Sequence, residues 1–130
     1  HIDGIKGSQA IALSVLLARQ GKSKSEIKKE ISQRFNYNLN ITYKELGINS
    51  VKCPQSIINA LICFFDSTHF LDAINKATAL GGDTDTVASM SGAIAEAFYK
   101  PNLEEFKDIL STLDPFLLSI VQDFRKLYNI

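Results

Sequence analysis

The stretch from Gly81 to Ala97 constrains this chain more than any other. It reads Gly81-Gly82-Asp83-Thr84-Asp85-Thr86-Val87-Ala88-Ser89-Met90-Ser91-Gly92-Ala93-Ile94-Ala95-Glu96-Ala97. Paired glycines interrupt a helical pattern. Lacking a Cβ, they allow a tight turn or a close backbone approach. Two carboxylates two residues apart follow, each succeeded by a threonine. A run of small residues then opens a new helix. Small side chains let neighbouring backbones come near, so the helix after Asp85 is expected to be central and well covered.

Two readings fit the acidic turn. Asp and Thr oxygens accept hydrogen bonds from the free N–H groups of a helix start, and negative charge there complements the helix dipole. On this reading Asp83 and Asp85 are caps. The same residues, with the Thr86 hydroxyl, are hard oxygen ligands that suit Mg²⁺, Mn²⁺ or Ca²⁺ better than zinc or copper. Two acids exceed what one cap needs, and capping leaves the paired Gly81-Gly82 without a reason.

Composition narrows the classes. At 130 residues the chain has single-domain length, read as one all-α domain over 1-130. A domain of this size buries roughly two-thirds of its unfolded surface. A hydrophobic share of 45% supplies a core and excludes a wholly disordered chain. Lys plus Arg equals Asp plus Glu at 14 each, which argues against the broad basic footprint of a nucleic-acid binder. The Lys22 to Lys29 cluster is broken by Glu26 and reads as a solvated helix face. Cys53 and Cys63 have no metal or CxxC spacing and are read as buried, reduced thiols of a cytoplasmic protein. No apolar run approaches the ~20 residues of a membrane span, and no signal peptide is recognisable. The chain opens at His1 rather than Met, which suggests a processed piece or part of a longer chain.

Apolar spacing predicts about seven helices. The first spans Ser8 to Gln20, and Gly21 suits its end. Ser23-Lys24-Ser25-Glu26 fits a capping box for a second helix to about Phe35. Asn36 to Val51 reads as loop, with Ile41-Thr42-Tyr43 an extended segment or short helical turn. Pro54 suits the first turn of a third helix carrying Ile57, Ile58, Leu61, Ile62 and Phe65. Thr68 is expected to cap a fourth, over 69–80. Asn102 and Asp114-Pro115 open the last two. His69, Glu96 and the four tyrosines read as packing or surface residues, and Ser14 and Ser91 as poor nucleophiles.

Gly81-Gly82-Asp83-Thr84-Asp85-Thr86-Val87-Ala88, continued by Gly92-Ala93-Ile94-Ala95-Glu96-Ala97-Phe98-Tyr99, closely resembles the C-terminal signature of the ADP-ribosylglycohydrolase family. Pro54 to Leu61, Phe70 to Ile74 and His1 to Ala18 resemble further family segments, in order. The resemblance implies an all-α, multi-helix orthogonal bundle, of which this chain looks like the C-terminal half. It implies a hydrolase with two divalent metals, Mg²⁺ first and Mn²⁺ as an alternative, that cleaves the glycosidic bond between ADP-ribose and an acceptor. By similarity Asp83, Asp85 and Thr86 are metal ligands, Asp85 the bridging one. His1 would contact the ribose-diphosphate part of the substrate, and Gly81 and Gly82 would line the pocket. The substrate class is an ADP-ribosylated protein or a small ADP-ribose ester.

The sequence also departs from the family pattern. No Thr-Asp-Asp cluster occurs, and Asp3 does not fit the role of the early acidic ligand. About half the ligand set is therefore expected from this chain, and self-association or pairing with a missing N-terminal half follows as an expectation. Ser8 replaces the usual Ala, and Lys100 stands where Gly often follows the Tyr. The alternatives to a hydrolase are a non-catalytic ADP-ribose or nucleotide-binding module and a structural, crystallin-like relative.

Overall fold

The computed structural model describes residues 1–46 and 53–128. The described residues are all-α, with no strand among them. The helices are α1 (Ile2–Arg19), α2 (Lys24–Phe35), α3 (Cys53–Phe65), α4 (Phe70–Ala79), α5 (Thr84–Tyr99), α6 (Lys107–Leu110) and α7 (Pro115–Tyr128). Short 3₁₀ turns lie at Tyr43–Glu45 and Leu103–Phe106. Residues 1–100 and 101–130 form two compact units.

In the first unit α5 packs against α1, α3 and α4, the central position its small residues predict. Val87, Ser91, Gly92, Ile94, Ala95 and Ala97 form its buried face. A Cβ on Gly92 would meet only the Ile74 side chain of α4, at 3.5 Å. The core centres on Phe64, fully buried in α3, whose ring lies 5.4 Å from Phe98 and 6.5 Å from Tyr99.

Lys24 ties three elements together. Its Nζ sits 5.0 Å from the Phe64 ring centroid and 5.2 Å from that of Tyr99. It donates to the carbonyls of Phe65 (3.0 Å) and Ser67 (2.5 Å), just where α3 runs out of intrahelical partners. The ammonium thus serves as a C-terminal cap supplied from another helix.

The Ser23 box forms as expected: Glu26 N–H donates to Ser23 Oγ and Ser23 N–H to the Glu26 carboxylate. Two boundaries differ from expectation. Helix α1 starts six residues earlier than Ser8, because the His1 ring accepts the Asp3 N–H (3.4 Å) and caps it. Thr68 does not cap α4. The exposed His69 holds that position without a side-chain capping bond, and Thr68 instead donates its N–H (2.7 Å) and hydroxyl (3.1 Å) to the Asp72 carboxylate. The Ile41 to Tyr43 segment leads into a 3₁₀ turn, closed by Thr42 N–H on Glu45 Oε2 (2.6 Å). The rest of that expected loop, 47–51, lies outside the described residues.

Asp72 also receives Lys76 Nζ at 2.6 Å. The Lys76 ammonium and then the Thr68 N–H pull its carboxyl down to about 2. A depressed carboxyl stabilises the fold above its ordinary pKa and loses that contribution as pH falls toward the folded value. Asp72→Asn should cost about 1–2 kcal/mol at pH 7. The difference from wild type should shrink between about pH 4 and pH 2, measured by urea unfolding across that range.

Cys63 is a free thiol buried in α3, and burial pushes it up to about 12. It is a packing group, not a nucleophile. The Cys53 side chain lies outside the described residues. In the second unit Asn102 accepts the Glu104 N–H (3.2 Å) and Asp114 the Phe116 N–H (2.8 Å), the two helix-start roles expected of them. Within α7 the Phe124 and Tyr128 rings lie 4.6 Å apart. No described helix is long and apolar enough to cross a membrane.

Candidate active site

Helix α4 ends at Ala79 with Leu80 as its C-cap, and the chain must reverse over the next three residues to start α5. Gly81 and Gly82 both adopt φ +75, a conformation that L side chains rarely adopt. Neither has a neighbour within 4 Å of where a Cβ would stand. The glycines are therefore required by backbone conformation and not by space. Gly82→Ala should cost about 1–2 kcal/mol through this strain alone, read as a lower midpoint in thermal unfolding.

The turn delivers Asp83 to the helix start. Its side chain makes no capping bond to α5. The Asp83 carbonyl accepts the first helical N–H, from Val87 (3.2 Å), and Thr84 N–H goes to the Gly82 carbonyl (2.9 Å). The capping interpretation of Asp83 thus lacks the hydrogen bond that defines it. Asp83, Asp85 and Thr86 are all solvent-accessible. The Asp85 carboxyl is held below the usual carboxylate range, chiefly by a hydrogen bond with the Asp83 side chain and then by the N–H groups of Thr86 and Asp85 itself. Two exposed carboxyls two residues apart, with a threonine hydroxyl one residue on, form a hard-oxygen donor set of the kind Mg²⁺ and Mn²⁺ prefer. It is a partial set: no group of three or more His, Cys, Asp or Glu able to hold a metal occurs among the described residues.

Beside this turn lies a cavity of roughly 630 Å³, within the range of small-molecule sites. Asp83, Thr86 and Met90 of α5, Gly4, Ser8, Ile11 and Ala12 of α1, and Ser56 and Ile57 of α3 line it. Of the residues expected at the site, Asp83 and Thr86 line the cavity, and Asp85, between them in the chain, does not. Gly81 and Gly82 shape the turn but are not among the lining residues. His1 is not among them either; it caps α1, with Nδ1 3.3 Å from the Asp3 carboxylate. Ser56 is a lining residue that spacing did not flag, because on the sequence it falls in an ordinary apolar helix. Ser8 stood out only as a departure from the family pattern.

Comparison with known proteins agrees with this architecture. The family model described as ADP-ribosylglycohydrolase matches residues 2–111. The chain belongs to the ADP-ribosylglycohydrolase family, whose name denotes hydrolases. It is similar to a protein named ADP-ribosylhydrolase ARH3 from Danio rerio, 33% identical over 82 residues that cover 55% of this chain. The chain spans about 22% of that relative's length. No solved structure matches.

Proposed function

We propose that the α4–α5 turn and its cavity form part of the active site of a divalent-metal-dependent ADP-ribosyl hydrolase. The observation that carries the reading is Asp83, free of any capping bond, set beside Asp85 and Thr86 at the rim of a ligand-sized cavity in a member of this family. Asp83, Asp85 and the Thr86 hydroxyl would hold Mg²⁺. When bound, the ion lowers the pKa of coordinated water and offsets developing negative charge. The chain's own residues bind and orient. The apolar wall of Ile11, Ala12, Ile57 and Met90 excludes water from one face of the ligand, and the hydroxyls and carboxylates receive its polar edge. The substrate class is an ADP-ribosylated protein or small ADP-ribose ester, and the bond cleaved is the glycosidic bond to the acceptor.

The partial donor set favours one second reading, an ADP-ribose-binding module that does not cleave. The two are separated by incubating the chain with a mono-ADP-ribosylated protein and Mg²⁺ and measuring free ADP-ribose. Release that stops on chelation supports the hydrolase. Binding with no release after long incubation supports the module, and neither binding nor release overturns both.

A further inference from the structure

The cavity has a polar side that the metal-ligand assignment leaves unused. Ser56 lies in the first turn and a half of α3 and is only 8% exposed. Its hydroxyl has no hydrogen-bond partner among the described residues, yet it is not one of the fully enclosed unpartnered atoms, of which Ser91 Oγ is the example. Ser56 lines the cavity. The side chain is tucked against the core while its oxygen keeps access to the cavity, so its hydrogen-bonding capacity is open to a solvent molecule or a ligand there.

The rest of the lining narrows the ligand group. Ser8, from α1, already spends its hydrogen on the Gly4 carbonyl (2.8 Å), so toward the cavity it can only accept. Asp83 likewise offers acceptors. Among the described residues no Lys, Arg or His lines the cavity. A phosphate, which brings only acceptors and negative charge, finds no cationic side chain among them. A sugar ring brings hydroxyls that both donate and accept, and its C–H faces suit Ile11, Ile57 and Met90.

We infer that Ser56 is a specificity-determining residue whose hydroxyl bonds with a hydroxyl of the terminal ribose of ADP-ribose, while Ser8 accepts from the same ring. This rests on the cavity receiving ADP-ribose, as proposed above. Because the hydroxyl bonds no group among the described residues, it contributes to recognition and not to the fold. The terminal ribose, not the adenine nucleotide, is the part it reads.

The test compares wild type with Ser56→Ala by calorimetric titration of ADP-ribose and of ADP, which lacks the terminal ribose, both in excess Mg²⁺. Helix content and melting midpoint should be unchanged in the variant, since no hydrogen bond among the described residues is lost and Ala is a good helix former. Affinity for ADP-ribose should fall by roughly three- to tenfold, the worth of one neutral hydrogen bond, with ADP affinity unchanged. Equal ADP-ribose affinity in the two proteins would overturn this inference and leave the proposed function standing. An equal loss for both ligands would overturn it too, by assigning Ser56 to shared packing. No ADP-ribose binding by the wild type overturns both readings together.

Discussion

Asp85→Asn should weaken Mg²⁺ or Mn²⁺ binding by about 100-fold or more while leaving helix content and unfolding midpoint close to wild type. Losing even an outer partner of a metal ligand costs ~10–100-fold in affinity, and here one of two adjacent carboxylates goes. The structural cost is small because the side chain is exposed and Asn can still accept from the Thr86 N–H. Titration of Mn²⁺ followed by paramagnetic resonance reads the affinity, and circular dichroism reads the fold. Unchanged metal affinity would reduce the acidic turn to a helix-start motif. Asp83→Asn provides a parallel check, since Asp83 makes no capping bond whose loss could confuse the result.

Phe64→Ala should be the most destabilising single change, at about 3–5 kcal/mol. The ring is fully buried and touches Phe65, Phe98 and Tyr99, whose centroids lie 5.2, 5.4 and 6.5 Å away. Its removal leaves a cavity where α3 meets α5 and strips one aromatic face from the Lys24 ammonium. Chemical denaturation with an unchanged slope and a large drop in midpoint is the expected result. A loss below about 1 kcal/mol would mean that the α3–α5 contact is not the heart of this core.

Much of this was legible in the residues. Apolar spacing located α2, the run of small residues located α5, and Ser23 and Glu26 formed the box their spacing implies. Paired glycines before the acidic turn marked a backbone of positive φ. What spacing missed depended on partners distant in sequence or on local competition. The start of α1 was hidden because the cap is a histidine ring at residue 1, which is not a usual capping signal. Thr68 was misassigned because Asp72, four residues on, attracts both its donors. The cavity itself was invisible. Ser8, Ser56 and Asp83 lie far apart in the chain and meet only because α1, α3 and α5 pack together. Lys24 read as part of a solvated cluster, yet it reaches across to Phe65 and Ser67.

The most direct test of the central claim is calorimetric titration of ADP-ribose into this chain with and without excess Mg²⁺. The account predicts saturable binding that requires the cation and is lost in Asp85→Asn. Binding of equal strength with and without Mg²⁺, or none in either condition, would contradict it.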